Sequence, residues 1–405
     1  MRHLRSTLLL LSCIAPLGAL RAQSEATPTT PTRKSWRPTL VLGAEVEGDN
    51  NVFLLSPLKI GDVAAPSPGQ IISGRFNDME RASDLIGTVG LGLELKGPGL
   101  TGRPLTVGPS VEYARYVFNT VRSHVVAGFD LRQELPHQGR FRLGATVTPD
   151  QFTRNYLFDA IDGNVDGVIT ADERRYAPGR SFEADLGGDY RHRVSKSAGL
   201  WLLAGGGYSI RRFDAPHEDR DLDGPTGTLA IQFDRGRGLE VGLRYEVAGL
   251  TAPVTTRVVL LNEPDFGQDL NGDLDAVDLN VRRLTPVDRS RTEQAVAADL
   301  EVGIGKRTRL GFVFTHRWRS FSSDETYDVT NRGRRDRREE FGATMVNRLS
   351  RRVRLRTGAE LGAQRLTRDL DTAGSGEIGD YSRARFIVGL SCECLRRRAA
   401  GDVGQ

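Results

Sequence analysis

A twelve-residue stretch near the middle of the chain, DGNVDGVITADE, carries oxygen donors at regular intervals. The residues whose oxygens this spacing would bring together are Asp162, Asn164, Asp166, Val168, Thr170 and Glu173. Val168 would contribute its backbone carbonyl, Glu173 both carboxylate oxygens, and Thr170 a contact through water. Calcium is a hard cation that takes roughly six to eight oxygen ligands, and Gly167 permits the necessary bend. The spacing therefore predicts a calcium-binding loop.

The flanks of this stretch are those of an EF-hand-like loop. Phe158 and Ile161 precede it where an entering helix places apolar residues. Thr170 and Glu173 form a T-x-x-E capping box, which would start a short exiting helix that Pro178 ends. The alternative is an ordinary surface turn, because Asp, Asn and Gly dominate turns of every kind. We favour calcium because all the key positions match.

Three further acidic stretches match a calcium loop less completely. One spells D-x-D-x-D-G with Asp219, Asp221 and Asp223 but has no acid at position 12. A second, within QDLNGDLDAVDLN, offers Asp269, Asn271, Asp273 and Asp275. That stretch lacks the glycine at position 6, and a third, around residues 369–377, matches fewer positions still. For the first two stretches a solvated acidic turn is an equally good explanation, and for the third it is the better one.

The start of the chain has the parts of a secretory signal peptide. A basic MRHLR segment precedes an apolar run that ends near the small residue Ala22, so residues 1–22 are expected to be removed on export. Residues 10–13 faintly resemble a lipoprotein cleavage box, but the apolar run continues beyond Cys13, which favours simple cleavage. Residues 23–36 are rich in Ser, Thr and Pro and are expected to form a flexible tether.

Charge and composition exclude several classes of protein. Loss of Arg2, Arg5 and Arg21 with the signal peptide would leave 53 basic against 52 acidic residues, which gives no sign of a nucleic-acid partner. The two remaining cysteines, Cys392 and Cys394, are too few for a disulfide framework or a zinc site. Beyond the signal peptide, no run approaches the roughly 18 apolar residues of a membrane helix.

Alternation of apolar and polar residues recurs along the rest of the chain. In residues 239–247, for example, Leu, Val, Leu, Tyr and Val alternate with Glu, Gly, Arg and Glu. A period of two with one apolar face is typical of β-strands. The fourteen segments with this pattern lie near residues 38–47, 83–96, 103–119, 123–135, 139–158, 180–193, 198–214, 226–234, 238–250, 293–304, 307–321, 339–348, 351–366 and 381–393.

The connectors between these segments alternate in length. Those after even-numbered segments are short and those after odd-numbered segments are mostly long, residues 120–122 being the exception. This pattern is typical of bacterial transmembrane β-barrels, whose closure pairs every backbone group in lipid. A soluble β-sandwich also alternates, but it explains less well the charges on faces that would be interior. Those charges belong to Glu94, Glu112, Arg132, Arg142, Glu240, Arg244, Asp299, Glu301, Arg354 and Arg356.

Three segments resemble parts of bacterial outer-membrane β-barrel proteins. Residues 42–57, LGAEVEGDNNVFLLSP, are similar to their first strand and loop, where a D-[SND]-N-[VI]-[FY] motif follows the strand. Residues 110–119, SVEYARYVFN, and 152–159, FTRNYLFD, are similar to later strands. The resemblance implies a barrel in the bacterial outer membrane, in contact with its lipid. The chain departs from the family at the end, where many barrels close on Phe and this one continues CECLRRRAAGDVGQ.

We therefore predict an all-β fold, a transmembrane antiparallel β-barrel of about fourteen strands with long outer loops, over residues 37–394. Residues 159–179 would form its EF-hand-like insert, and residues 395–405 a C-terminal tail. The acidic stretches all follow odd-numbered strands, which places them on the long-loop side, outside the cell. Calcium there would neutralise crowded carboxylates and order the loops.

Three functions are compatible with these observations. The main hypothesis is an outer-membrane barrel with calcium-binding extracellular loops and a structural or surface-exposed role. The alternative is a passive pore or small-solute transporter of the same architecture, and the third is a soluble exported calcium-binding β-protein. We do not expect an enzyme, because the six histidines lack metal-binding spacing and neither H-E-x-x-H nor G-x-S-x-G occurs. The expected partners are membrane lipid and calcium ions.

Overall fold

The computed structural model is a closed antiparallel barrel of fourteen strands, which confirms the predicted fold class and strand number. It describes residues 36–65, 78–100, 102–160, 174–234, 236, 238–262, 280–325, 328, 331–367 and 380–396. The strands of the barrel are β1 (Arg37–Asp49), β2 (Asp84–Pro98), β3 (Pro104–Tyr116), β4 (His124–Glu134), β5 (Arg140–Ala160), β6 (Arg174–Ser195), β7 (Leu200–Phe213), β8 (Leu222–Asp234), β9 (Leu239–Leu250), β12 (Arg291–Ile304), β13 (Thr308–Phe321), β14 (Arg335–Arg348), β15 (Val353–Thr367) and β16 (Tyr381–Arg396).

Short elements occupy the connections between these strands. Strands β10 (Thr255–Asn262) and β11 (Asn280–Val287) form a hairpin between β9 and β12. Helix α1 (Pro57–Ala64) lies between β1 and β2, and three single 3₁₀ turns complete the described part. None of the helices among the described residues is long and apolar enough to cross a membrane.

Each barrel strand pairs with the barrel strands before and after it, β9 pairing directly with β12, and the barrel closes where β1 pairs with β16. That seam runs from Thr39 opposite Arg396 to Asp49 opposite Arg385, with one register shift after Leu40. Both barrel termini and the short connectors lie at one end, here called the turn end. The connections after odd-numbered strands lie at the other end, here called the loop end.

The two faces of the wall differ in chemistry, as alternation requires. Large apolar side chains cover the outside, and Leu229, Leu361 and Phe386 are 61%, 57% and 65% exposed there. Charged and small residues occupy the intervening inward positions. The outer face is therefore fit for lipid and the inner face for water, because a lipid-embedded barrel satisfies its backbone internally and presents only apolar side chains outward.

The structure corrects one local expectation and adds two elements. Residues 174–178 belong to β6 rather than to an exiting helix, because they continue the ladder with β5, as in Tyr156 opposite Ala177. Pro178 is accommodated next to a register shift, where a missing backbone N–H is tolerated. Helix α1 and the β10–β11 hairpin were not predicted. The predicted calcium loop, residues 162–173, lies outside the described residues, as do the signal peptide and the tether up to residue 35.

The division of the wall into two faces predicts opposite effects for one substitution. Leu243→Arg places a charge on the outward face near the middle of β9, where Leu243 is 53% exposed. We expect this to lower the free energy of unfolding by about 2–4 kcal/mol. Thr228→Arg, which faces inward opposite Glu246, should cost far less. Urea unfolding in lipid vesicles measures both, and equal losses would contradict the assignment of faces.

Candidate functional site

The inward face near the loop end carries a group of buried and half-buried, paired charges, here called the ionic belt. Charged side chains are seldom buried unless they are paired. The belt spans strands from β6 round the barrel to β1. Its members are Glu183, Arg211, Glu246, Arg291, Glu293, Arg317, Arg319, Arg338, Glu340, Glu360, Arg383, Arg385, Glu47 and Asp49.

Glu293 is the centre of the belt on β12 and β13. Its carboxylate lies 2.7 Å from Arg291 Nε, 3.1 Å from Arg319 Nε and 3.5 Å from Arg317 Nη1. Alternation brings these groups together, since Glu293 sits directly opposite Arg319 and Arg317 opposite the small Ala295. Glu293 is only 4% exposed, so three guanidinium groups share one buried carboxylate as a counter-charge.

A second part of the belt lies across the seam. Arg383 of β16 donates from Nε and Nη2 to a single oxygen of Asp49 of β1, Oδ2. Arg385 forms a bidentate pair with Glu47, in which Nε and Nη2 donate to Oε1 and Oε2. Arg385 also reaches Glu360 of β15 at 2.9 Å. Bidentate pairs of this kind are among the stronger charge-assisted hydrogen bonds. The first and last strands are thus joined by side chains as well as by the backbone ladder.

The D-N-N-V-F motif turns the chain from this seam into the barrel. The Asn51 side chain donates to the carbonyls of Leu55 and Ser382 at 2.8 and 3.0 Å and accepts from the Leu55 N–H at 2.8 Å. The turn brings Val52 and Phe53 into an apolar cluster in which they are 2% and 5% exposed. The motif is therefore a fixed turn that ties a loop to β16.

That cluster covers the part of the mouth that the ionic belt leaves free. The loop residues pack on inward-facing side chains of β2 and β3, Ile86 and Tyr116, and on Phe152 of β5. The rings of Phe53 and Phe152 meet edge to face at 6.5 Å. Their apolar area is removed from water at the loop end. The lumen is therefore narrowed there by charge pairs on one side and by a folded loop on the other.

Buried Asp and Asn side chains hold other loops. Asp84 accepts the backbone N–H groups of residues 117, 118 and 119 at 2.9–3.0 Å, and Asn119 accepts that of Glu80 at 2.9 Å. Asp328, fully buried, accepts from Ser323 Oγ and from Asn331. In these loops the carboxylates already accept hydrogen bonds from N–H and O–H groups of the protein itself.

The candidate ligands Asp219, Asp221 and Asp223 contact groups of the protein itself. Asp219 pairs with Arg289 at 3.2 Å, Asp221 accepts the Phe213 N–H at 2.7 Å, and Asp223 pairs with Arg212 at 3.1 Å. Burial raises the pKa of Asp221 above its usual value. Among the described residues, no group of three or more His, Cys, Asp or Glu side chains is arranged to hold a metal ion.

The calcium candidates of the other stretches are not described. Residues 162–173 and 269–275 lie outside the described part of the chain, so the structure does not test the predicted ligands there.

Toward the turn end the inward charges are more accessible. Glu301 and Arg309 pair at 2.5 Å but are 34% and 44% exposed, and Glu393, paired with Arg354, is 35% exposed. A barrel of fourteen strands is wider than the eight-stranded barrels that side chains fill by themselves. The inner wall thus changes from a vestibule of partly exposed charges at the turn end to buried charge pairs and an apolar cluster at the loop end.

Several members of the ionic belt were not identified from the sequence. The charges recognised as inward-facing, such as Glu240 and Arg356, lie mainly nearer the turn end. The sequence does contain a signal for the belt, namely charged residues at every second position. They occur near the start of even-numbered strands and near the end of odd-numbered strands, for example Arg291 and Glu293 in R-T-E. Pairing them required the register between strands, which the sequence alone does not supply.

Comparison with known proteins adds little to this description. No protein-family model matches the chain, and no curated protein sequence matches it. Similar solved structures include a loop-deletion mutant of OmpT, an outer membrane protein of Vibrio cholerae, with a TM-score of 0.38, 10% identity and coverage of 88% of this chain and 99% of that one.

Two further structures give similar values. An anion-selective porin from Comamonas acidovorans has a TM-score of 0.36 and 13% identity, covering 89% of this chain and 99% of that one. An outer membrane channel from Pseudomonas putida F1 has a TM-score of 0.37 and 11% identity, covering 92% and 99%. Values this low say nothing about what this chain binds or carries, so its function has to be inferred from its own residues.

Loss of the central carboxylate of the belt tests its energetic role. Glu293→Gln leaves several buried guanidinium groups without their shared counter-charge, and we expect a loss of about 3–5 kcal/mol in the free energy of unfolding. The control is Glu301→Gln, whose pair is partly exposed and should change stability by less than about 1 kcal/mol. Urea unfolding of both variants in detergent or lipid gives the comparison, and equal effects would contradict the belt.

Proposed function

We propose that the protein is a channel of the bacterial outer membrane that carries small hydrophilic solutes through a narrowed lumen. The observation that carries this proposal is the gradient of burial along the inner wall. Partly exposed charges of both signs line the turn end, while the ionic belt and the loop that holds Phe53 form a more buried wall near the loop end. A wall of both signs suits small polar solutes without strong selection for one charge.

The outer membrane supplies the environment that this fold requires. A water-soluble barrel would expose the whole outer apolar face, far more than soluble monomers tolerate as a contiguous patch. This argues against the soluble exported protein and makes membrane lipid the partner of the outer face. A purely structural barrel has no need of a solvated, charged vestibule, which favours transport over the structural role. No catalytic activity is part of this proposal.

The channel proposal can be tested by weakening the apolar cluster that holds the loop over the mouth. Val52→Ala with Phe53→Ala removes apolar contacts that hold the loop over the mouth, so we expect higher single-channel conductance in planar bilayers than for the native protein. The matched control, Val46→Ala with Phe182→Ala, removes the same residue types from the outward face, where they are 51% and 39% exposed. Folded protein that passes no current in either form would overturn the channel and favour a structural role.

We also propose that residues 162–173 bind calcium. The support is the spacing of Asp162, Asn164, Asp166 and Glu173, which supplies the ligands of a calcium loop from one segment. Described acidic loop residues elsewhere, such as Asp84, already have protein donors. Calcium in residues 162–173 would order one loop at the mouth of the barrel.

Calorimetry tests the calcium proposal directly. The native protein should bind calcium with a dissociation constant on the order of 0.1–1 mM, as extracellular sites do. Glu173→Gln removes the predicted bidentate ligand and should weaken binding by about tenfold or more. Asp159→Asn lies just before the twelve residues and should leave the affinity unchanged. Equal affinities for the native protein and Glu173→Gln would show that the stretch is only a turn.

A further inference from the structure

The outward face of β13, β14 and β15 changes character abruptly toward the loop end. One row across these strands is apolar: Phe314, Phe341 and Leu361, which are 46%, 47% and 57% exposed. Four residue pairs further along, Trp318 of β13 lies opposite Arg337 of β14, and Arg337 lies opposite Arg365 of β15. Arg335 follows on the same face.

The row that contains Trp318 and Arg337 lies at the edge of the lipid. Four residues of strand separate Trp318 from Phe314, which is on the order of 10 Å along the membrane normal for a tilted strand. Tryptophan is enriched at this level, where its ring meets the headgroups. The three outward arginines, here called the rim arginines (Arg335, Arg337 and Arg365), therefore lie at headgroup height. All three are exposed.

Among the described residues, the rim arginines lack the side-chain partners that other outward arginines at the loop end have. Arg180 pairs with Asp150 at 2.8 Å, and Arg212 pairs with Asp223 at 3.1 Å. Within the described ranges, no ion pair or hydrogen bond joins a rim arginine to another side chain. Glu339, the acid on the same face of β14, lies 3.6 Å from His316 instead.

The arrangement of the rim arginines is unfavourable without a counter-ion. Like charges directly opposite each other on one face of an antiparallel pair are destabilising, and Arg337 and Arg365 are such a pair. The inward neighbours of Arg335 and Arg337 are neutralised, as Arg334 pairs with Asp336 at 2.7 Å. A cavity of about 540 Å³ borders the patch, and its lining includes Trp318, Arg335 and Arg337.

We propose that the rim arginines bind the phosphate groups of a phosphorylated lipid of the outer leaflet. Guanidinium groups bind phosphate oxygens through two parallel hydrogen bonds, and a phosphate between Arg337 and Arg365 would remove their repulsion. The apolar row below them would contact the acyl chains of the same lipid. The inference depends on the proposed location in the membrane but not on transport, and a barrel without conductance can still bind the lipid.

Native mass spectrometry of the detergent-solubilised protein tests the proposal with diphosphorylated lipid A as the probe. The native protein should retain lipid A, and Arg335→Gln with Arg337→Gln and Arg365→Gln should bind it at least about tenfold more weakly, because several charge-assisted hydrogen bonds are lost. The matched control, Arg180→Gln with Arg212→Gln, removes outward arginines that have protein partners and should bind lipid A as the native protein does.

Two further binding measurements identify which chemical group of the lipid the protein binds. Lipid A without its phosphates should bind the native protein as weakly as diphosphorylated lipid A binds the triple variant. Inorganic phosphate at millimolar concentration should compete poorly, and full displacement by it would replace the lipid with free phosphate as the ligand. A heat-dependent gel shift confirms that each variant is folded. If the triple variant does not fold, Arg365→Gln alone should still weaken binding. Equal lipid A binding by native and folded variant protein would overturn the proposal.

Discussion

The pairing of β1 with β16 is the constraint on which the rest of the structure depends. In lipid, every backbone N–H and C=O needs a partner within the protein, and only a closed sheet provides this for strands. Closure joins Asp49 to Arg383, residues 334 positions apart in the chain. Once the sheet is closed, alternation leaves each side chain one of two surroundings, lipid or lumen. The apolar coat and the charged interior are both consequences of that division.

The ionic belt is a costly way to line a barrel. Desolvation of several arginines and carboxylates is offset only when the charges are paired closely, and well-packed apolar residues would give similar or greater stability. The opposite wall, around Phe53 and Tyr116, shows that this chain can build such an apolar lining. Stability alone therefore does not account for the charges on this side of the mouth, where an apolar lining would serve as well. The two sides differ in chemistry, with paired charges on one and the apolar cluster of Phe53 on the other.

Much of the fold was predictable because its signal is local. Period-two alternation needs only neighbouring residues, and all fourteen barrel strands were found by it. The β10–β11 hairpin was missed because TTRVVLLN does not alternate, and β10 pairs only with β11. The contacts of Glu293 depend on register across β12 and β13, and the role of Asn51 depends on Ser382, far along the chain. The sequence shows that these residues are polar and where they stand along the chain, but it does not show which residues they bind.

The turn after β1 connects the folding of the loop at the mouth with the docking of the last strand. Asn50 and Asn51 both bind β16, Asn50 through the Ala384 N–H at 2.7 Å and Asn51 through the Ser382 carbonyl. The loop that covers the mouth is thus anchored to the last strand synthesised. Contacts between the most distant parts of a chain carry the greatest loop-closure cost. A barrel whose final strand has not yet docked therefore lacks these two anchors, and its loop is held less firmly over the mouth until the sheet is complete.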